Sequence, residues 1–346
     1  MFTVSTAVMG CDTHLDSVTV AVIDPTVEKT VTVVTVPNRS EGWDRVFELC
    51  QRMQVGQVGI EGASGFGRGL ATRLVDDGVE VVEIPTRLTA RIRTIDGSSK
   101  TDPGDAVAVG RATARGEGSV WTYQPAAETL RVLTHHRQSL ITEQTRAINQ
   151  LRALLIEIDP DLSAQTRRLG RSRRPFQQLT EIGFDANPHH ETIGWLINQL
   201  AADCLRRIDQ IRELDARIKQ SMPPVGWVLI DQIVGCGLIT AAQLLSELAG
   251  TDRFASDAQM AAWAGTAPLD ASSGKQQRHR LNRGGNRQAN RAIHTIVVTQ
   301  HRCGGPAADY IARRTSEGKT PKEAIRAAKR HATRHIWKII RDHQLT

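Results

Sequence analysis

No stretch of this sequence runs to eighteen apolar residues, and residues 1–8 carry neither the basic nor the apolar segment of an export signal. The two absences argue against a membrane span and against secretion, so a soluble, cytoplasmic chain is expected. Cysteine is scarce: Cys11, Cys50, Cys204, Cys236 and Cys303 are odd in number, widely spaced and form no CxxC pair. That excludes a disulfide framework and a zinc site, and leaves reduced, mostly buried thiols. Acid is what the end of the chain lacks. Residues 271–346 hold 17 Lys or Arg against 4 Asp or Glu, a net of +13, whereas the whole chain carries +7, so the first 270 residues carry about −6. A cationic segment of that density in an otherwise acidic chain points to a phosphate backbone as partner.

What is present suffices for a sizeable core: 346 residues, 40% hydrophobic, suggest two or three domains. Residues 6–12, 17–23 and 30–36 read as a three-stranded meander, the last alternating Thr and Val. Residues 40–52 read as a helix with Ser40 as its cap. Strand 55–61, helix 67–77, strand 79–84 and helix 86–94 follow, and a further helix opens at Lys100-Thr101-Asp102-Pro103-Gly104-Asp105-Ala106 and runs to about residue 116. Three strands followed by alternating helices and strands predict an α/β domain whose later strands are parallel.

This places four acids. Asp12 ends the first strand, Glu61 ends the fourth, and Asp102 and Asp105 open the helix after the fifth. In open α/β sheets ligands gather beyond the carboxyl ends of strands, and the first and fourth strands are neighbours in this topology. Four hard oxygen ligands without His or Cys suit Mg²⁺ or Mn²⁺ and phosphoryl transfer. The plainer alternative is local: with Pro103 as the first helical residue, Asp102 caps the helix and Asp105 complements its dipole.

The order of strand Asp, strand Glu and Lys-Thr-Asp-x-x-Asp-Ala helix start resembles the RuvC-type, ribonuclease-H-like domain of the DEDD transposases of bacterial insertion sequences, insertion sequence family 110. Gly10-Cys11-Asp12-Thr13-His14 and Ile60-Glu61-Gly62-Ala63-Ser64-Gly65 are similar to that family's segments around the first two acids. The resemblance implies that Asp12, Glu61, Asp102 and Asp105 are metal ligands.

The middle of the chain is helical. Residues 128–159 and 193–218 carry apolar stripes at helical spacing, which are packing surfaces first, and predict a helical hairpin or coiled-coil arm serving intra-chain packing or dimerisation. Between them Arg167, Arg168, Arg171, Arg173 and Arg174 favour a nucleic-acid contact over an idle loop. Further on, Ile233-Val234-Gly235-Cys236-Gly237-Leu238 reads as a helix-hairpin-helix whose Gly235 and Gly237 turn offers backbone amides to a phosphate, a plain helical hairpin being the alternative.

Trp263-Ala264-Gly265-Thr266-Ala267-Pro268, Ser272-Ser273-Gly274 and the basic Gly-Asn segment 281–291 resemble the second signature of the same family. Composition alone makes Ser-Ser-Gly a turn, with no His or Asp spaced for a triad; the resemblance implies that Ser273 is a nucleophile. Lys275, Arg278, Arg280, Arg283, Arg287 and Arg291 supply the cationic surface. The expected division is 1–125, a RuvC-like metal-binding domain; 126–220, a helical arm; and 221–346, a mostly α transposase domain. The resemblance further implies DNA recombination through a phosphoserine link, a guide RNA encoded by the element, and a homo-oligomer in which the two catalytic parts complete each other. A junction nuclease that uses water and a non-enzymatic DNA-binding protein are the two rival functions.

Overall fold

The computed structural model describes residues 6–97, 100–165, 170, 172–183, 187–248, 254–270, 279–280, 282 and 285–343, and the chain falls into two compact units, Met1–Tyr123 and Gln124–Thr346.

In the first unit β1 (Ala7–Thr13), β2 (Ser17–Asp24) and β3 (Lys29–Pro37) form the antiparallel meander. After α1 (Ser40–Arg52), β4 (Val55–Glu61) returns parallel to β1. Next come α2 (Arg68–Asp76), β5 (Glu80–Glu83), α3 (Thr86–Asp96), α4 (Asp102–Ala114) and β6 (Ser119–Val120). They complete a mixed sheet of order β3-β2-β1-β4-β5-β6, with β5 parallel to β4 and β6 antiparallel at the edge. β1 and β2 are buried almost throughout because both sheet faces are covered. On one face Met9, Cys11, Val58 and Ile60 meet Val46 and Leu49 of α1 and Leu70 and Leu74 of α2. On the other, Val8, Ala21 and Ile23 meet Ala106 of α4, while Val82 and Ile84 meet Ile92 of α3 and Val109 of α4.

Gly10 sets the distance between α4 and the sheet. A Cβ there would lie 2.1 Å from the Gly110 amide nitrogen and 2.3 Å from the Ala106 carbonyl oxygen, so the helix backbone rests directly on β1. Two caps differ from the sequence expectation. Ser40 is the first residue of α1, and Arg39 holds the extended cap position without a side-chain bond. At α4 the cap is Thr101, whose Oγ1 accepts from the Gly104 amide at 3.2 Å.

The second unit is helical. α5 (Pro125–Ile158) and α8 (Pro188–Gln220) are 34 and 33 residues long and are linked through α6 (Pro160–Gln165) and α7 (Arg174–Glu181). They pack antiparallel: Leu151 and Leu155 share a cluster with Ile197 and Ala201, Leu140 packs with Ile211 and Leu214, and Leu130 lies in one core with Ile218. A buried guanidinium crosses this seam, Arg137 Nε donating to Asp215 Oδ1 at 2.5 Å. Then follow α9 (Pro224–Gln232), α10 (Leu238–Leu248), α11 (Asp257–Trp263), the two-residue strands β7 (Leu269–Asp270) and β8 (His279–Arg280), α12 (Arg287–Cys303), α13 (Pro306–Ser316) and α14 (Pro321–His343). Leu130 and Ile218 belong to the same core as Leu245, Ile293 and Ile340, so the long helices and the C-terminal segment are one unit where the sequence had suggested two. Four cysteines are buried, and burial pushes the Cys50 and Cys236 thiols up to about 12, which keeps them protonated and inert.

Candidate functional site

Side-chain alternation decides which face the first two acids occupy. Met9 and Cys11 point to α1 and α2, so Gly10 and Asp12 point to α4; Val58 and Ile60 likewise leave Gly59 and Glu61 on the α4 side. Asp12 and Glu61 are register partners at the carboxyl ends of adjacent parallel strands. Thr13 Oγ1 donates to the Glu61 carbonyl at 2.7 Å and locks the two strand ends together. Behind them Gly62, at φ +76°, opens a turn that Ser64 fastens to Glu83 through its hydroxyl at 3.1 Å.

Helix α4 starts over these strand ends and brings Asp102 to Asp12. Carboxylate oxygens of Asp12 and Asp102 and a ring nitrogen of His14 all lie within 4.8 Å of one another. His14 Nε2 is 3.1 Å from Asp12 Oδ2 and 3.5 Å from Asp102 Oδ1. Because Thr101 caps the helix, Asp102 is free of the capping role that the sequence left open for it. The cluster runs from a buried floor, Asp12 being 7% exposed, to an open rim at Asp102. Burial raises the Asp12 carboxyl above its ordinary range; the charges of Glu61 and Asp102 add to this and His14 opposes it. The arrangement holds more negative charge than its own residues balance, which is what a cation site requires.

Asp105 is handled differently. It is buried, 8% exposed, and its carboxylate is ion-paired with Arg93 of α3, while Arg111 of α4 pairs with Asp96. Sequence reasoning missed both His14 and Arg93. His14 had a signal, since it follows the end of β1 two residues beyond Asp12; its ring nitrogen joins the carboxylate oxygens of Asp12 and Asp102. Arg93 had none, because nothing in a helix's sequence says which neighbouring carboxylate its arginine will reach.

In the second unit Ser272, Ser273, Lys275 and Arg278, which fall in sequence between β7 and β8, lie outside the described residues, and so do Arg167, Arg168, Arg171 and Arg283. The base of that connection is described. Gly285 and Gly265 approach so closely that a Cβ on Gly285 would be 2.2 Å from the Gly265 nitrogen. Asn286 donates its amide to the Trp263 carbonyl at 2.7 Å, and Asn290 Nδ2 donates to the Ala264 and Gly265 carbonyls at 2.8 and 3.0 Å. Lys329, 6% exposed, completes this clamp from α14 by donating to Asn290 Oδ1 at 2.5 Å; burial lowers its proton affinity. Sequence reasoning did not identify this lysine as internal.

Of the predicted phosphate contacts, Arg174, Arg287 and Arg291 are exposed, the last two one turn apart on α12, and the backbone of Arg280 pairs with Leu269. Arg173 is ion-paired with Asp209 of α8. Gly235, at φ +83°, seats the α9–α10 turn on α12, where a Cβ would meet the Ile296 carbonyl at 3.0 Å; Gly237 faces open space. Among the described residues no helix is long and apolar enough to cross a membrane.

A family model described as Transposase, for the DEDD type of IS110, matches residues 9–160, and one described as Transposase IS116/IS110/IS902 family matches residues 228–312. The insertion element IS110 43.6 kDa protein of Streptomyces coelicolor is 27% identical over 89% of this chain and 87% of its own length. The insertion element IS116 44.8 kDa protein of Streptomyces clavuligerus is 26% identical over 80% of each. Among solved structures, Thermus thermophilus RuvC in complex with Holliday junction substrate matches with 14% identity and a TM-score of 0.27, covering 34% of this chain and 99% of RuvC. With both models in the expected order and relatives aligned over most of their length, the chain belongs to the IS116/IS110/IS902 family of insertion-sequence transposases.

Proposed function

We propose that this transposase is a site-specific DNA recombinase that cuts and rejoins strands through a phosphoserine link at Ser273, with Asp12, Glu61, Asp102 and Asp105 holding Mg²⁺ or Mn²⁺. The observation that carries the metal half of this reading is the convergence of Asp12, Asp102 and His14 within 4.8 Å at the strand end that Glu61 shares. The donor set fits: hard carboxylates predominate and suit either ion, and the one imidazole is better accepted by Mn²⁺ than by the harder Mg²⁺. In this reading Asp105 exchanges Arg93 for the cation. When bound, the ion polarises the scissile phosphate and neutralises charge on the leaving oxygen.

The chain's own groups do the rest. Ser273 Oγ attacks phosphorus as the bond from phosphorus to one deoxyribose oxygen breaks, and the serine proton ends on that leaving oxygen, giving a free hydroxyl and a protein-linked strand. Attack by a hydroxyl of a second DNA end on the phosphoserine regenerates Ser273 and seals the new junction. Arg174, Arg280, Arg287 and Arg291, with Arg167, Arg168, Arg171, Lys275, Arg278 and Arg283, hold phosphates of the DNA and of a guide RNA that selects donor and target. The working species is a homo-oligomer, with the long α5 and α8 pair available as its contact.

The test is a denaturing gel of end-labelled DNA carrying an element junction, incubated with protein, Mg²⁺ and the element's non-coding RNA. A covalent adduct is expected for the wild type and for Ser272→Ala, and none for Ser273→Ala. An adduct lost with Ser272 instead would move the nucleophile by one residue, and cleavage without any adduct would make the protein a water-using nuclease.

A further inference from the structure

A cavity of about 390 Å³ opens in the second unit between the end of α9, α12, α13 and α14. Its walls are small and apolar, including Ala307, Ala328 and Ala332, with Val234, 53% exposed, at the mouth. Gln300 also lines the cavity and ties two of its walls together, donating to the Val234 carbonyl at 2.8 Å and accepting from the Ala307 amide at 3.2 Å. One side is aromatic: Tyr310 meets His331 edge to face, ring centres 4.7 Å apart, and the Arg313 guanidinium lies over Tyr310 at 5.4 Å.

The volume is that of a small-ligand site, and the surroundings specify the ligand's charge. Arg330 and Arg334 are held by Asp257 and Arg314 by Glu317, whereas Arg313, which lies over the Tyr310 ring, is 66% exposed and only reaches Glu317 at 3.9 Å, so it is the guanidinium left to an anion beside the cavity. Burial, with Arg334, Arg330 and Arg313 acting on it, lowers the proton affinity of His331, so at neutral pH its imidazole is uncharged and offers one donor and one acceptor. Small apolar walls, an aromatic side, a neutral imidazole and the adjacent Arg313 guanidinium suit a flat heterocycle attached to an anion. Immediately beyond Val234, the Gly235–Gly237 turn leads into the free amides of the α10 N-terminus, with Gly237 open to solvent.

We propose that this cavity binds an unstacked nucleobase of the bound nucleic acid, with the flanking phosphate held by Arg313 and the Gly235–Gly237 turn. The inference rests on the chain being a nucleic-acid-binding transposase, but it concerns residues other than the acid cluster and Ser273. Its role is to grip a strand where the duplex is distorted or single-stranded, since a base inside a duplex cannot reach the pocket.

The experiment measures anisotropy of labelled twelve-residue oligonucleotides with the full chain: oligo(dT), oligo(U), and an abasic deoxyribose-phosphate strand of equal charge. Wild type is expected to prefer the base-bearing strands by about ten-fold, the scale of one aromatic–base contact. Tyr310→Ala should remove most of that preference. Val234→Ser, a change at a half-exposed position that the fold tolerates, should reduce it several-fold, and neither should alter the salt slope. Arg313→Ala should flatten the slope for all three strands. Whichever of oligo(dT) and oligo(U) binds tighter identifies DNA or RNA as the source of the base. Equal wild-type affinity for base-bearing and abasic strands, or a preference that survives both pocket variants, overturns the inference while leaving the transposase reading intact. Failure to bind any of the three strands overturns both.

Discussion

The two units place their polar groups in opposite ways. In the first, Asp12, Glu61 and Asp102 stand at the ends of regular elements, where strand alternation and a helix start fix their direction. In the second, regular elements serve mainly for packing: α5, α8, α10, α12 and α14 bury aliphatic stripes, and the glycines, serines and many of the arginines that matter fall in the connections. A site on element ends inherits its geometry from backbone periodicity. A site in connections depends on the side chains that clamp their bases, here Asn290 and Lys329. Substitutions in the two units should therefore fail in different ways.

The largest contrast is expected in catalysis without loss of fold. Glu61→Gln and Asp102→Asn should lower DNA cleavage by about 100-fold or more while the melting temperature barely changes, because each removes a charged donor and neither removes a cap. If Asp102→Asn cleaved normally and melted lower, the local role would be the true one. Next is packing. Gly10→Ala drives a methyl into the α4 backbone and should destabilise the first unit by about 1–3 kcal/mol, read by urea or thermal unfolding, and it should displace Asp102 from Asp12 and impair cleavage as well. Gly237→Ala meets nothing within 4 Å and should leave stability unchanged, so a loss of DNA affinity there would report a contact with nucleic acid. The smallest effects are electrostatic. Arg287→Gln and Arg291→Gln should each reduce the salt slope of duplex binding by about 0.9, whereas Arg173→Gln should leave the slope alone because Asp209 already holds that guanidinium.

The sequence revealed the first unit better than the second for the same physical reason. β-prone, Val-rich runs, of which only β3 alternates, identified β1 to β5 to within one residue, and the acids at their ends followed. β6 escaped because two residues carry no periodicity, and the α4 cap was placed one residue late because Thr101 and Asp102 are both good caps and only geometry separates them. The stripes of α5 and α8 predicted long helices that pack together. They did not reveal that Leu130 and Ile218 would join the core of α10, α12 and α14, since an apolar stripe does not name its partner. The assignment of Ser273 as nucleophile rests on resemblance alone, because a Ser-Ser-Gly segment has no pattern of its own.

Asp12→Asn tests the central claim, that the acid cluster is a cation site and not a structural feature. The Asp12 carboxyl is held above its ordinary range by burial and by Glu61 and Asp102, so ionising it costs stability in the metal-free fold at neutral pH. That cost disappears as pH falls below the unfolded value of about 3.9, where both states are protonated. The measurement is the melting temperature of wild type and Asp12→Asn, with and without Mg²⁺ or Mn²⁺, beside cleavage of junction DNA. The account predicts that without metal the variant melts at or above the wild type at pH 7, with the gap closing toward pH 4, that metal raises only the wild type, and that only the wild type cleaves. A variant that melts several degrees lower without metal, responds to metal as the wild type does and still cleaves DNA would contradict it.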